Sequence, residues 1–448
     1  MSEEIKRKRT IWNKILHVPI QGGRELIWTA IGAYAIPSME ILGMPADVGS
    51  TVFSASSFVT IFFVLIVGVL SDGCICSIGK RKPFIIICVI FVIFAAIMQF
   101  LSLKIEDQLL VQFYFMLLFS STIYSCEQAQ VMQMVAFICG FAGIVGYVLC
   151  AILPISSNGV LQLDIFFISV AVFLVGAVLN LFSVKEEPKK EETQTSVFSV
   201  FQNIPAKLLK MCLLFLLIFS ACFPFYIFFT TCFAESMFDA HRPTIAANEN
   251  LTEEEIEKIF TDRLTDGSQK ASLIFIAFPA GVMIISLVME KGKIFRRFGI
   301  KNTIFSMLIF MIGTLTFNIF FKTTIGFFLI ALGIAFSMVI QISVPYMLLN
   351  IYREDPKYPK SRGLSSDNSI ISCTFSIAQA VGSLLLSLLI KKTETTTVII
   401  PWCLVSAILA TVLALTSIDF GKQSQQEEEK NSRKAIDNRT VKLNTNKK

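Results

Sequence analysis

The sequence predicts an all-α polytopic membrane protein built from two six-helix bundles. Three observations carry that expectation. The chain is 54% hydrophobic and only 16% charged, where soluble domains carry about a quarter charged residues. Apolar runs long enough to cross a bilayer, about 20 residues when helical, recur along its whole length. A polar stretch starting at Lys185 (KEEPKKEETQTS) then divides those runs into six and six. Lipid offers the backbone no hydrogen bonds, so each run is expected to be a helix.

The expected spans lie near 26–44, 48–71, 84–103, 109–126, 134–154 and 163–183, then near 209–233, 271–289, 303–321, 325–350, 368–390 and 398–417. No short apolar segment with a cleavage site precedes the first, so it is expected to be an uncleaved signal anchor. The implied organisation is a cytoplasmic N-terminus (1–25), an N-terminal bundle (26–183), a cytoplasmic linker (184–208), a C-terminal bundle (209–417) and a disordered cytoplasmic tail (418–448). Lys6 to Arg9, Lys80 to Lys82, Lys291 to Lys301 and Arg353 to Arg362 all fall on one side of such a count. Short basic loops face the cytoplasm, which puts both termini there. The opposite side carries the longest loop, 234–270, which is acidic. Within it LTEEEIEKIFTDRL has the pattern of a short amphipathic helix, with Thr252 and Glu255 spaced as a capping box. Asn250-Leu251-Thr252 is a glycosylation sequon on the side where glycans are added.

Eleven Cys and two His supply no spaced set that would hold zinc, and no nucleophile–base pair stands out. An enzyme, a resident metal, a cofactor and a nucleic-acid partner are therefore not expected. A lipid bilayer and a small-molecule substrate are.

Two loops have related patterns. After the second span come Asp72, Gly73, then Gly79, Lys80, Arg81, Lys82 and Pro83; after the eighth come Glu290, Lys291, Gly292, Arg296 and Arg297. Each joins an acid, a glycine and a basic cluster, and Pro83 suits the first turn of the next helix. Such loops can form contacts that lock one state of a rocking transporter. Positive-inside topology with a tight turn explains the same residues without gating.

Three stretches make the comparison with a known family specific: Gly23-Arg24-Glu25 followed by Tyr34, Pro37 and Gly43-Met44-Pro45; Gly79-Lys80-Arg81-Lys82-Pro83-Phe84; and Gln341-Ile342-Ser343-Val344-Pro345-Tyr346 with Arg353-Glu354 after it. Together with Ala142 to Tyr147, they resemble the sucrose-transporter-like branch of the major facilitator superfamily, solute carrier family 45 and the plant sucrose carriers. The resemblance implies the major facilitator fold and proton-linked uptake of sucrose, glucose or related sugars, with a plasma-membrane location favoured. The chain departs from that pattern at four places. Ile31 stands where the family has an acid in the first span, and Thr231 where it has an Asp. About twenty residues between Cys126 and Glu127 are missing relative to the family, and Lys80 and Lys82 replace two arginines.

No span has a charged residue near its middle; Arg24, Glu25 and Glu40 near the ends of the first span are the coupling candidates. Intramembrane charge is costly and is kept where it is used, so proton symport rests on the resemblance alone, with an uncoupled facilitator or a transport-inactive relative or splice product as alternatives. Sugars are held by uncharged hydrogen-bonding groups and aromatic faces. Tyr34, Gln341, Tyr346 and Gln379 are the candidates for substrate binding.

Overall fold

The computed structural model describes residues 3–73, 82–105, 132–157, 160–162, 164–183, 204–248, 251–359 and 364–416. The expected fourth span, most of the 184–208 linker, the tail, Asn250 and the loop residues Gly79, Lys80 and Arg81 lie outside these. Among the described residues the first part of the chain contributes α1 (Glu3–Ile41), α2 (Ala46–Gly73), α3 (Lys82–Ile105), α4 (Met132–Ile152) and α5 (Asp164–Ser183). Two short antiparallel strands, Ser156–Ser157 and Val160–Leu161, lie between the last two helices. The second part contributes α6 (Ala206–Phe238), α7 (Arg242–Asn248), α8 (Glu253–Phe275), α9 (Ala277–Lys291), α10 (Ile294–Phe320), α11 (Thr324–Glu354), α12 (Leu364–Thr393), a 3-10 turn (Thr396–Val398) and α13 (Ile399–Thr416). Six segments between Ala206 and Thr416 are long and apolar enough to cross a bilayer.

Large apolar side chains cover the outside of the bundle. Phe62, Ile90, Phe141, Val175, Ile309, Phe320, Leu388 and Leu415 are all exposed, a surface that suits lipid and not water. Between α1 and α2 the chain reverses at Gly43, whose φ of 79° is open to glycine at little cost. Gly299, with φ 78°, likewise kinks α10 after its first turn.

The expected long loop 234–270 is largely helical. α6 runs on to Phe238, α7 follows, and the amphipathic helix capped by Thr252 does not stop near Leu264. It continues as α8 to Phe275 and meets α9 across a break at Ile276. The reason lies in its spacing: Phe260, Leu264, Gly267, Ser268, Ala271 and Phe275 form one buried stripe of small and apolar residues. The capping box is present in both directions, from the Glu255 amide to Thr252 and from the Thr252 amide to the Glu255 carboxylate. Those donors at Thr252 hold the exposed Glu255 carboxyl below its usual range.

The end of α1, the start of α2, and the ends of α6 and α12 meet on one side of the molecule, called distal here. The start of α6, the end of α11 and the start of α12 meet on the other, proximal side. α1 packs between α4 and α5, α2 packs along α12, and α6 lies at the centre against α1, α8, α11, α12 and α13.

Candidate functional site

The centre of the molecule is organised by one face of α6. Cys222, Tyr226 and Thr230 follow one another at four-residue steps, so a helix stacks them on the same side. Thr230 Oγ1 donates to the carbonyl of Ala33 on α1 at 2.7 Å. One turn back, the Tyr226 carbonyl lies so close to Gly32 that a Cβ there would sit 2.8 Å from it. The Tyr226 ring then meets Trp28 edge-on at 5.5 Å, and Phe278 edge-on at the same distance. Phe275 stacks on Phe229 at 4.2 Å and on Phe278 at 5.2 Å, and receives Tyr147 at 5.1 Å. An aromatic wall thus joins α1, α4, α6, α8 and α9. Tyr147 is 1% exposed, and its hydroxyl makes no hydrogen bond among the described residues.

Below this wall Cys222 meets α11. Its thiol donates to Ser337 Oγ at 2.9 Å. Gln341 Nε2 donates to the same hydroxyl at 2.8 Å, and lies 3.6 Å from the Cys222 sulfur. Ser337 and Gln341 are one helical turn apart, which is why both reach Cys222. Gln341 is 3% exposed, and its Oε1 has no hydrogen-bond partner among the described residues. A buried amide oxygen without a donor costs about 1–3 kcal/mol, so the cluster keeps an acceptor ready for a hydroxyl or N–H group. Pro224 in α6 and Pro345 in α11 lie close by in sequence and remove main-chain donors from both helices.

The halves are joined along α2 and α12 by a seam of hydroxyls. Ser50 donates to the Ser383 carbonyl at 2.7 Å, Ser54 to the Ala380 carbonyl at 2.7 Å, and Ser57 to Gln379 Oε1 at 3.4 Å. Thr51 and Ser387 hydroxyls meet at 2.9 Å, and Ser387 also reaches the Asp47 carbonyl. At the distal end Arg242 Nη2 donates to the Glu40 carbonyl at 2.7 Å, while the same guanidinium holds Glu257 with two bonds. α4 and α9 approach through glycines: a Cβ on Gly140 or Gly143 would lie 2.9 or 2.8 Å from atoms of Pro279 or Met283.

The sequence-derived candidates are dispersed among these features. Gln341 sits in the central cluster. Tyr34 does not: its hydroxyl donates to the carbonyls of Cys150 and Leu153 and ties α1 to α4. Gln379 belongs to the α2–α12 seam. Tyr346 is half-buried on α11, packed against the core, and has a partner of its own. Glu25 and Arg24 are half-buried and partnered on α1, with Thr29 Oγ1 donating to the Glu25 carbonyl. Glu40 lies at the distal end, far along the helix from Glu25. Of the gating candidates, Lys82 opens α3 and donates to the Leu181 carbonyl at 2.7 Å, and Arg297 is exposed on α10. The side chains of Asp72, Glu290 and Arg296 lie outside the described residues, although their helices do not. Sequence reading missed Trp28, Tyr147, Tyr226 and Cys222. The four-residue step from Cys222 to Thr230 was the available signal, but the residues between them are all apolar or aromatic, so periodicity did not mark one face.

At the proximal end, Asp367 is fully buried and accepts from Arg353 at 2.7 Å and from the Tyr358 hydroxyl at 2.8 Å. Lys207 pairs with Asp355 at 3.0 Å. The Lys357 amide, and then Lys207, hold the Asp355 carboxyl below its usual range. The described residues hold no cluster of three metal-ligating side chains.

Known proteins place this architecture. Over 217 residues, 41% of this chain, the sequence is 25% identical to human solute carrier family 45 member 4; the match spans 28% of that protein's length. Among solved structures, the nucleoside transporter NupG superposes with a TM-score of 0.61 at 14% identity, covering 90% of this chain and 97% of NupG. A bacterial homologue of the iron transporter ferroportin in an outward-facing state superposes at 0.53 and 15% identity, covering 89% of this chain and 98% of the other. The sequence model of the Major Facilitator Superfamily matches residues 20–357, and the chain belongs to that family of multi-pass membrane transporters.

Proposed function

We propose that this transporter carries a neutral, hydroxyl-rich solute of the sugar type by alternating access, with Gln341, Ser337 and Cys222 at the solute's polar side and Trp28 and Tyr226 at its apolar side. The observation that carries the reading is the unpartnered Oε1 of buried Gln341, next to an aromatic wall on the central helix. Sugars combine hydroxyl donors with apolar C–H faces, and this pair of surfaces matches both. Among the described residues the cluster of Cys222, Ser337 and Gln341 contains no charged side chain, which suits an uncharged solute. The bundles 26–183 and 209–417 are the rocking units, the basic loops and both termini face the cytoplasm, and the plasma membrane is the favoured location. The seam between α2 and α12 and the Arg242 contact close the extracytoplasmic side. The weak likeness to solute carrier family 45 member 4 supports this branch. Proton symport is a finer reading on the same ground, with an uncoupled facilitator as its alternative.

The test is uptake of labelled sucrose and glucose into vesicles containing the purified chain, with adenosine alongside because NupG is a nucleoside transporter. Saturable uptake of a sugar, competed by unlabelled sugar, is expected. Saturable uptake of adenosine alone would move the proposal to nucleosides, and none of either would overturn it.

A further inference from the structure

We propose that the carboxyl of Glu40 is a proton-binding site that sets closure of the distal end, with the bound proton favouring the closed arrangement described above. Glu40 lies in the last turn of α1, is 7% exposed, and its Oε2 makes no hydrogen bond among the described residues. Its own carbonyl is what Arg242 grips, so the group that joins the halves at this end touches Glu40 without touching its carboxyl.

The charged groups around it explain the arrangement. Arg242, first residue of α7, spends Nε and Nη2 on Glu257 of α8 at 2.8 and 2.7 Å and lies 3.7 Å over the Phe260 ring. Glu235 of α6 is near enough to act on Glu40 as a like charge, and its Oε2 accepts from the Thr395 hydroxyl at 2.7 Å and the Thr396 amide at 2.8 Å. His241, beside Arg242, bonds the Glu394 carbonyl and Thr244. Asp47 is in the first turn of α2, the next helix. A neutral carboxyl tolerates one dry oxygen, whereas an ionised one needs a cation. The cation at hand already neutralises Glu257, and Glu235 adds like charge. Loss of the Glu40 proton to distal water therefore leaves an excess of negative charge inside the closed seal. That excess is relieved by drawing Arg242 off the Glu40 carbonyl or by admitting water, and either step unties α1 from α7. By linkage, the closed arrangement holds the proton more tightly than the open one. The inference concerns the seal, and rests on the transport reading only for its consequence in uptake.

Hydrogen exchange of the purified full chain in lipid nanodiscs tests it without any solute. Amide opening across residues 239–264 is compared at about pH 5.5 and about pH 8, after correction for intrinsic rates, a range that covers buried carboxyls. In the wild type, opening at least about threefold more frequent at the higher pH is expected. Glu40→Gln, which cannot ionise, stays slow at both, and Glu40→Asp keeps the dependence. A wild type without the difference, or Glu40→Gln with it, overturns the proposal. If Glu40→Gln does not fold, Glu235→Gln decides: removing a charge that repels ionised Glu40 lowers the proton affinity of Glu40, so the midpoint must fall to lower pH, and an unmoved midpoint overturns the proposal. Absent sugar uptake with these exchange results would sink the solute reading and leave this one standing.

Discussion

Asp367 is fully buried, and the Arg353 guanidinium and the Tyr358 hydroxyl both donate to its carboxylate. Removing one member of such a buried pair strands the other, at a cost of about 3 kcal/mol. Asp367→Ala should therefore lower the stability of the purified protein by about that much, read as a fall in denaturation midpoint; an unchanged midpoint would show that Arg353 finds water instead. Asp367 falls just before the expected span 368–390, and the sequence did not indicate this network, because Arg353 comes from the last turn of α11 and Tyr358 from the turn after it. Tyr34 and Tyr147 show the same limit. Sequence reading singled out the Tyr34 hydroxyl and missed that of Tyr147, yet the first donates to two carbonyls and the second, among the described residues, to none. Which hydroxyl is spent depends on where α1 meets α4, and local sequence does not carry that.

Helix contacts in this fold are set by small residues. A Cβ on Gly23 would overlap the backbone of Phe173, and one on Gly146 would lie 2.8 Å from Thr29 Cγ2. α1 can thus lie close to both α5 and α4 only while these positions stay bare. Gly23→Ala must push α1 from α5 and should destabilise the chain by about 1–3 kcal/mol, the usual cost of overpacking, whereas Gly313→Ala, with open space around its Cα, should not. A thermal shift assay on both variants separates the two. In the second part of the chain the helices long enough to cross a bilayer were legible from apolar run length, and the Thr252 capping box from four letters. The continuation of that helix to Phe275 was not. Its inward stripe includes Gly267, Ser268 and Ser272, residues that read as loop in water but pack closely against α6 here.

For the whole molecule, the all-α membrane architecture and the family were readable, since each depends on features spread over many residues; the fourth expected span and most of the linker lie outside the described residues. The central site was less readable. Gln341 is in it, while Tyr34 and Gln379 serve contacts between helices and between halves. The α2–α12 seam gives a direct check on rocking of the halves. Thr51 and Ser387 hydroxyls meet at 2.9 Å, so Thr51→Cys with Ser387→Cys should form a disulfide on oxidation. Uptake should then cease and return on reduction; continued uptake by the oxidised pair would mean that the halves do not part along this seam.

The most direct measurement of the central claim is the kinetics of sugar uptake by Gln341→Leu, a change that keeps the side chain's bulk and removes its acceptor. With wild-type amount and thermal stability of protein, uptake efficiency should fall about tenfold or more, the size expected when a buried hydrogen bond to substrate is lost. Unchanged uptake by a stable Gln341→Leu protein would contradict the account and place the solute elsewhere on α6.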